Sequence, residues 1–217
     1  MAKMIDNKPS WKGEGKVWES LSANLPGDNV VYNQREVNGR EYDFCVMAEN
    51  LGLVIIEVKG WDRDKIDVRG VDNIIVDGYD EPQTSPKKQA RAYRFAILNK
   101  IVEKYNASPL VLDMVCYPFI TQEQYVRTKL DIVSEPEYTI FKEDIEDGKK
   151  LNEKIQHLFT LNKFIPHADF SYDLMVRIRK QLEPDFKLSV IDNKNKPYSK
   201  LSIFPNGINE NLSLIHI

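Results

Sequence analysis

Residues 52–60 read GLVIIEVKG, and this stretch decides the fold. Leu53 to Ile56 are apolar and mostly β-branched, which favours extended backbone, and the absence of polar alternation marks a strand buried on both faces. The run ends on Glu57-Val58-Lys59. Side chains two apart on a strand share a face, so Glu57 and Lys59 project together from the end of an otherwise apolar element. A carboxylate and an ammonium placed there are costly unless paired, solvated or bound to a metal.

Outward from this strand, VVYNQREV (30–37) and EYDFCVMA (41–48) read as two further strands, joined by turns at Asn38-Gly39 and Asn50-Leu51-Gly52. Ahead of them, residues 13–24 place Val17, Trp18 and Leu21 at helical spacing, with Leu25 in register, and Pro26-Gly27-Asp28-Asn29 ends the helix. Behind them, KIDV and NIIVDG form the arms of a hairpin within 61–79. A long helix runs from the cap Ser85 and Pro86 to Tyr105, with Tyr93, Ile97, Ile101 and Tyr105 recurring every fourth residue. PLVLDMVCYPFI (109–120) is another buried strand, EYTIFKEDI (137–145) a short strand entering a helix, and 148–161 that helix. The order predicts a mixed α/β layer architecture rather than regular βαβ repeats.

From about Pro166 the character changes. Residues 167–184 read as one amphipathic helix, and 187–205 as a hairpin turning around Asn193 to Lys196, which sets a soft boundary near residue 164. The last six residues, LSLIHI, match a translation of the adapter used in transposon-based sequencing libraries, so 212–217 are expected to be a non-native tail.

The chain has 217 residues, 42% hydrophobic and 29% charged, with 30 Lys+Arg against 33 Asp+Glu and a net charge of -3. This is enough to bury a core and argues against a binder that works by basic charge in bulk. No stretch approaches the ~18 apolar residues of a membrane helix. The N-terminus lacks an apolar signal core, so a cytoplasmic location is expected, with no membrane partner. Cys45 and Cys116 lie far apart in strand-like segments, which suits two reduced, buried thiols. No GxSxG, CxxC, HExxH or dinucleotide fingerprint is present, and His157, His167 and His216 have no metal-ligand spacing.

Asp43 on one strand and Glu57 with Lys59 on the next form a minimal hydrolytic set for phosphodiesters. The two carboxylates offer hard oxygen ligands to Mg²⁺, and Lys59 can orient or deprotonate water and offset phosphate charge. The competing reading is a Glu57/Lys59 ion pair capping a sheet edge. Glu14 lies on the apolar face of the first helix, aligned with Val17, Trp18 and Leu21; it is either an inward acid with a partner or a first-turn acid favoured by the helix dipole. Gln89 aligns with Tyr93, Ala96 and Ile97, which turns an amide inward. Lys87, Arg91 and Arg94, with Lys88 beside them, form a basic stripe suited to a phosphate backbone, although a solvated helix face has the same appearance. Trp11, Trp18 and Trp61 can stack on bases; Trp18 reads as core and Trp61 as a wall of the cleft.

Gly13-Glu14 with Val17 and Leu21, Glu41-Tyr42-Asp43-Phe44, Gly52 to Trp61, and Pro86-Lys87-Lys88-Gln89 together resemble the nuclease-related domain NERD over roughly residues 12 to 120. That family belongs to the PD-(D/E)XK nuclease superfamily. The resemblance implies a restriction-endonuclease-like mixed β-sheet core flanked by helices, spanning 12–163 behind an N-terminal tail of 1–11. It implies that Asp43 and Glu57 bind Mg²⁺ or Mn²⁺, with the Val58 carbonyl joining them. Lys59 becomes the catalytic lysine, Glu14 the acid that positions water, and Gln89 the polar residue facing the site. Tyr42 stands where the family usually has an aliphatic residue, and it points to the opposite face. The implied activity is DNA cleavage, with Lys87, Lys88, Arg91, Arg94 and Trp61 against the DNA. Relatives often carry a helicase motor after this domain. No GxxxxGK[ST] occurs here, so 164–211 is expected to connect toward a helicase-like region, and a DNA-binding or interaction module without catalysis is the alternative.

Overall fold

The computed structural model describes residues 1–37, 39–182, 186–191, 197–204 and 207–208, with side chains for 1–37, 39 and 41–180. The chain divides into two compact units, Met1–Ser171 and Tyr172–Ile217. In the first, the order is β1 (Lys3–Met4), α1 (Lys12–Asn24), β2 (Val30–Val37), β3 (Arg40–Ala48), β4 (Gly52–Val58), β5 (Ile66–Gly70), β6 (Asn73–Val76) and α2 (Pro86–Tyr105). It continues with β7 (Val111–Cys116), α3 (Gln122–Arg127), β8 (Thr139–Ile140), α4 (Lys142–Glu146) and α5 (Gly148–Asn162). The second unit holds α6 (Tyr172–Leu182), β9 (Phe186–Ile191), β10 (Pro197–Phe204) and β11 (Gly207–Ile208), with β10 antiparallel to both other strands.

Six strands form one mixed sheet in the order β1-β2-β3-β4-β7-β8. The β2–β3 and β3–β4 pairs are antiparallel, whereas β4–β7 and β7–β8 are parallel. β4 is central, and all seven of its residues are buried, Glu57 included, which is why its sequence shows no alternation. With helices on both sides, this is the restriction-endonuclease-like α/β arrangement expected.

Register assigns the faces. Val46, Val54, Ile56, Leu112, Met114 and Cys116 join Val17 and Leu21 of α1 and Ile155 and Leu158 of α5 in one apolar cluster. Burying each such aliphatic side chain contributes roughly 1.5–3 kcal/mol. The opposite face meets α2, which packs on β4 and β7 through Ala90, Ile97 and Ile101. α2 begins as read: the Ser85 hydroxyl accepts from the Lys88 N–H and Pro86 holds the first position. The β5–β6 hairpin also forms as expected.

Some elements differ from expectation. β1 and α3 are additions. Thr121 and Gln124 make a reciprocal capping box that starts α3, a T-x-x-Q signature visible in the sequence. The helix expected from residue 167 starts at Tyr172 because the preceding segment is held extended: the Ala168 N–H donates to the Ser108 carbonyl and the Asn50 N–H to that of Phe170. The turn expected at Asn193 to Lys196 and the 212–217 tail lie outside the described residues. Gly52 has φ +140°, and a Cβ there would lie 2.1 Å from the Leu110 carbonyl oxygen, so only glycine lets β4 start against β7. Cys45 and Cys116 are buried and free. Among the described residues no helix is long and apolar enough to cross a membrane.

Candidate active site

The β3–β4 ladder pairs Phe44 with Ile56 and then stops. One step further in the same register, Asp43 and Glu57 face each other, and the next inter-strand donor, the Val58 N–H, is taken by Asp43 Oδ2 at 2.6 Å. The carboxylate thus replaces a backbone acceptor at the point where the strands part. Glu57 is 5% exposed. Its Oε1 accepts from Lys59 Nζ at 2.7 Å, and its Oε2 is buried with no hydrogen-bond partner among the described residues.

Burial pushes the Asp43 carboxyl up to about 7, and the charges of Glu57 and Glu14 add to the shift against the opposing Val58 bond and Lys59. Glu14 is also raised, first by burial and then by Glu41 and Glu57, while its bond from Gln34 pulls the other way. Asp43 on β3 therefore senses the charge of Glu14 from α1 and of Glu57 from β4. A cation among them relieves that repulsion.

Glu14 reaches this position through a backbone contact. A Cβ on Gly13 would lie 3.2 Å from Gly60 Cα, so α1 seats its first turn directly on the end of β4. Gln34 then holds the acid: its Nε2 donates to Glu14 Oε2 at 2.9 Å. Gln34 has φ +50°, and the β2–β3 register passes from Asn33↔Phe44 to Arg35↔Tyr42, leaving it opposite Asp43 without a ladder pair. A non-glycine residue in this region is strained by roughly 1–2 kcal/mol. Asp6 fixes both neighbours, accepting from the Asn33 N–H at 3.1 Å and from Arg35 Nη2 at 2.7 Å.

Beside the acids opens a cleft of about 540 Å³, lined by Glu14, Val58, Lys59 and Trp61 together with Trp11, Lys12, Tyr79, Gln83 and Phe119. Trp61 is 4% exposed, and its ring packs on Tyr117 with centroids 6.0 Å apart. Trp18 is partly buried against the core, as read.

The structure thus brings Glu14, Asp43, Glu57, Val58, Lys59 and Trp61 together. It places the α2 residues differently. Gln89 Nε2 donates to Thr84 Oγ1 at 3.0 Å and its Oε1 is buried without a partner, but no hydrogen bond joins it to Asp43 or Glu57 among the described residues. Lys87 is buried: its Nζ ion-pairs with Asp113 Oδ2 at 3.1 Å and lies 3.8 Å from the Tyr138 ring centroid. Burial lowers the Lys87 pKa, with Asp113 opposing. Arg94 Nη1 meets Asp113 Oδ1 at 3.0 Å. These two cations neutralise an acid in the sheet, whereas Lys88 and Arg91 face solvent, Lys88 in an ion pair with Asp72.

Among the described residues no three His, Cys, Asp or Glu side chains gather to hold a metal ion. Two carboxylates fit Mg²⁺ or Mn²⁺ nonetheless, because such ions keep several waters and take one or two protein carboxylates plus substrate phosphate. The orphaned Glu57 Oε2 and the raising of Asp43 by the charges of Glu57 and Glu14 are the observations that fit a hard cation.

Gln34, Lys12, Tyr79, Gln83 and Phe119 were not legible as site residues. Gln34 sits inside a strand-like run with no turn residue to announce its conformation, and the others arrive only through tertiary packing.

Compared with known proteins, residues 9–118 match the family model described as NERD, nuclease-related domain. No curated protein and no solved structure matches the chain.

Proposed function

The match spans just over half of the chain, so the chain belongs to the NERD family of nuclease-related domains, and from that premise we propose that it is a metal-dependent nuclease hydrolysing phosphodiester bonds of DNA. The pair Asp43–Glu57 carries this reading: two carboxylates crowded at the end of adjacent strands, one raised to about 7 and the other with a buried oxygen lacking a partner among the described residues. A divalent cation bound there supplies Lewis-acid polarisation of the phosphodiester and a more acidic water.

The chain's own residues do the rest. Asp43 and Glu57 present the oxygens that hold the ion, and the Val58 N–H fixes the direction of Asp43. Lys59 Nζ, 2.7 Å from Glu57 Oε1, stands at the cleft, where it offsets phosphate charge and donates a hydrogen bond that orients the attacking water. Glu14, steadied by Gln34, accepts a hydrogen bond from that water and orients it. Trp61 forms an apolar wall that limits solvent beside the reacting group.

An interaction module with a simple ion pair accounts for the Lys59–Glu57 contact, but it leaves the orphaned oxygen of Glu57 and the raised Asp43 carboxyl without a purpose. Plasmid nicking by the wild-type protein and Glu57→Ala, with Mg²⁺ or Mn²⁺ and with EDTA, tests the proposal. Cleavage is expected only for wild type with metal, and undiminished metal-dependent cleavage by Glu57→Ala refutes it. The same proposal sets the domain to work in the cytoplasm beside a helicase motor, in DNA processing, repair or phage defence. Co-purification with ATPase activity that single-stranded DNA stimulates tests that part.

A further inference from the structure

A second hollow, of about 320 Å³, adjoins the cleft and shares Trp11, Lys12 and Phe119 with it, so the two lie end to end as a trough along the first half of α1. We propose that this trough binds the single-stranded flank of the nucleic-acid substrate, with Trp11 as a stacking platform and Lys12 as a phosphate contact. The inference rests on the nuclease reading of the cleft, because a phosphodiester held at Asp43 and Glu57 has to be continued by chain on either side.

Three observations choose this occupant. Trp11 is 71% exposed, which leaves the face of its indole ring open to solvent at the rim of the hollow. Lys8, Lys12 and Lys16 line the second hollow against the single acid Glu19, a positive balance in a protein whose net charge is -3. Lys12 Nζ and Lys16 Nζ stand 5.6 and 5.8 Å from the Phe119 ring centroid, which interleaves cation and aromatic as single-strand grooves do. Lys8 pairs with Glu19 and Lys16 with Glu146, and such exposed pairs yield to a phosphate at small cost. Lys12 has no ion pair among the described residues and is the cation free to bind first. The stripe on α2 offers less, since Lys87 and Arg94 are engaged by Asp113. Single strands rather than duplex fit the trough because every unpaired base has a face to lay on an indole, whereas the bases of a duplex are stacked away.

Fluorescence anisotropy with fluorescein-labelled dT12 and a 12-base-pair duplex, in EDTA, measures binding apart from cleavage. Trp11→Ala is expected to weaken dT12 binding about tenfold, with Trp11→Phe restoring most of it and duplex binding little changed. Lys12→Gln is expected to flatten the dependence of log Kd on log salt by about 0.7. Both residues are exposed, so unchanged melting temperatures exclude misfolding. If Trp11→Ala binds dT12 as tightly as wild type, or wild type does not bind dT12, the proposal is overturned. Trp11-dependent binding by a protein that never cleaves would support the trough and sink the nuclease reading alone.

Discussion

Replacing Asp43 by asparagine should make the protein more stable at alkaline pH while abolishing cleavage. The folded state raises the Asp43 carboxyl from its ordinary 3.8 to about 7. A carboxyl with a raised folded pKa supports folding fully below its unfolded value and loses that support as pH climbs to its folded value. Each unit is worth about 1.36 kcal/mol, so a shift of about three units takes roughly 4 kcal/mol from wild type by pH 8. Asparagine has nearly the same shape and can still accept the Val58 N–H through its oxygen, but it carries no charge to repel Glu57 and Glu14. Urea unfolding of both proteins in EDTA from pH 4 to 8.5 reads the difference directly. The variant should match wild type near pH 4 and exceed it by up to about 4 kcal/mol at pH 8. Added Mg²⁺ should close the gap by stabilising only wild type. An equal stability at pH 8, or a gap that does not change with pH, would show that burial and the neighbouring acids do not raise the Asp43 carboxyl as argued.

Two other outcomes follow from the same geometry. Gln34→Ala removes the amide that holds Glu14 while keeping the strand; cleavage should fall by about tenfold with unfolding free energy changed by less than about 1 kcal/mol, and unaltered turnover would remove Gln34 from the site. Asp113→Asn leaves the buried Lys87 with only the longer ion pair to Glu135 among the described residues and the half-buried Arg94 facing an uncharged partner, so urea unfolding should show a loss of about 3 kcal/mol; a loss below about 1 kcal/mol would mean that Glu135 and solvent replace Asp113.

The sheet was legible because its signals are local. GLVIIEVKG shows a doubly buried strand by composition alone, and Ser85-Pro86 opens α2 by capping chemistry. Glu57 and Lys59 share a face through strand periodicity, and Glu14 faces inward through helix periodicity. What escaped was set by partners distant in sequence. Lys87 and Arg94 read as part of a basic stripe suited to a phosphate backbone, with a solvated helix face as the alternative, yet Asp113 lies in the middle of the apolar strand PLVLDMVC, where a lone buried acid demands a counter-charge. That acid was the available clue. Gln34 had no comparable signal, because its left-handed backbone is imposed by Asp6 gripping both neighbours.

The bond from the Val58 N–H to Asp43 ties one acid to the very strand that bears the other. That bond couples the two carboxylates, so a distortion of the sheet is expected to carry them together rather than apart. A substitution deep in the sheet should therefore misplace the pair relative to the incoming strand of substrate without spreading it. Such damage would appear as poorer alignment with substrate while metal affinity stays intact.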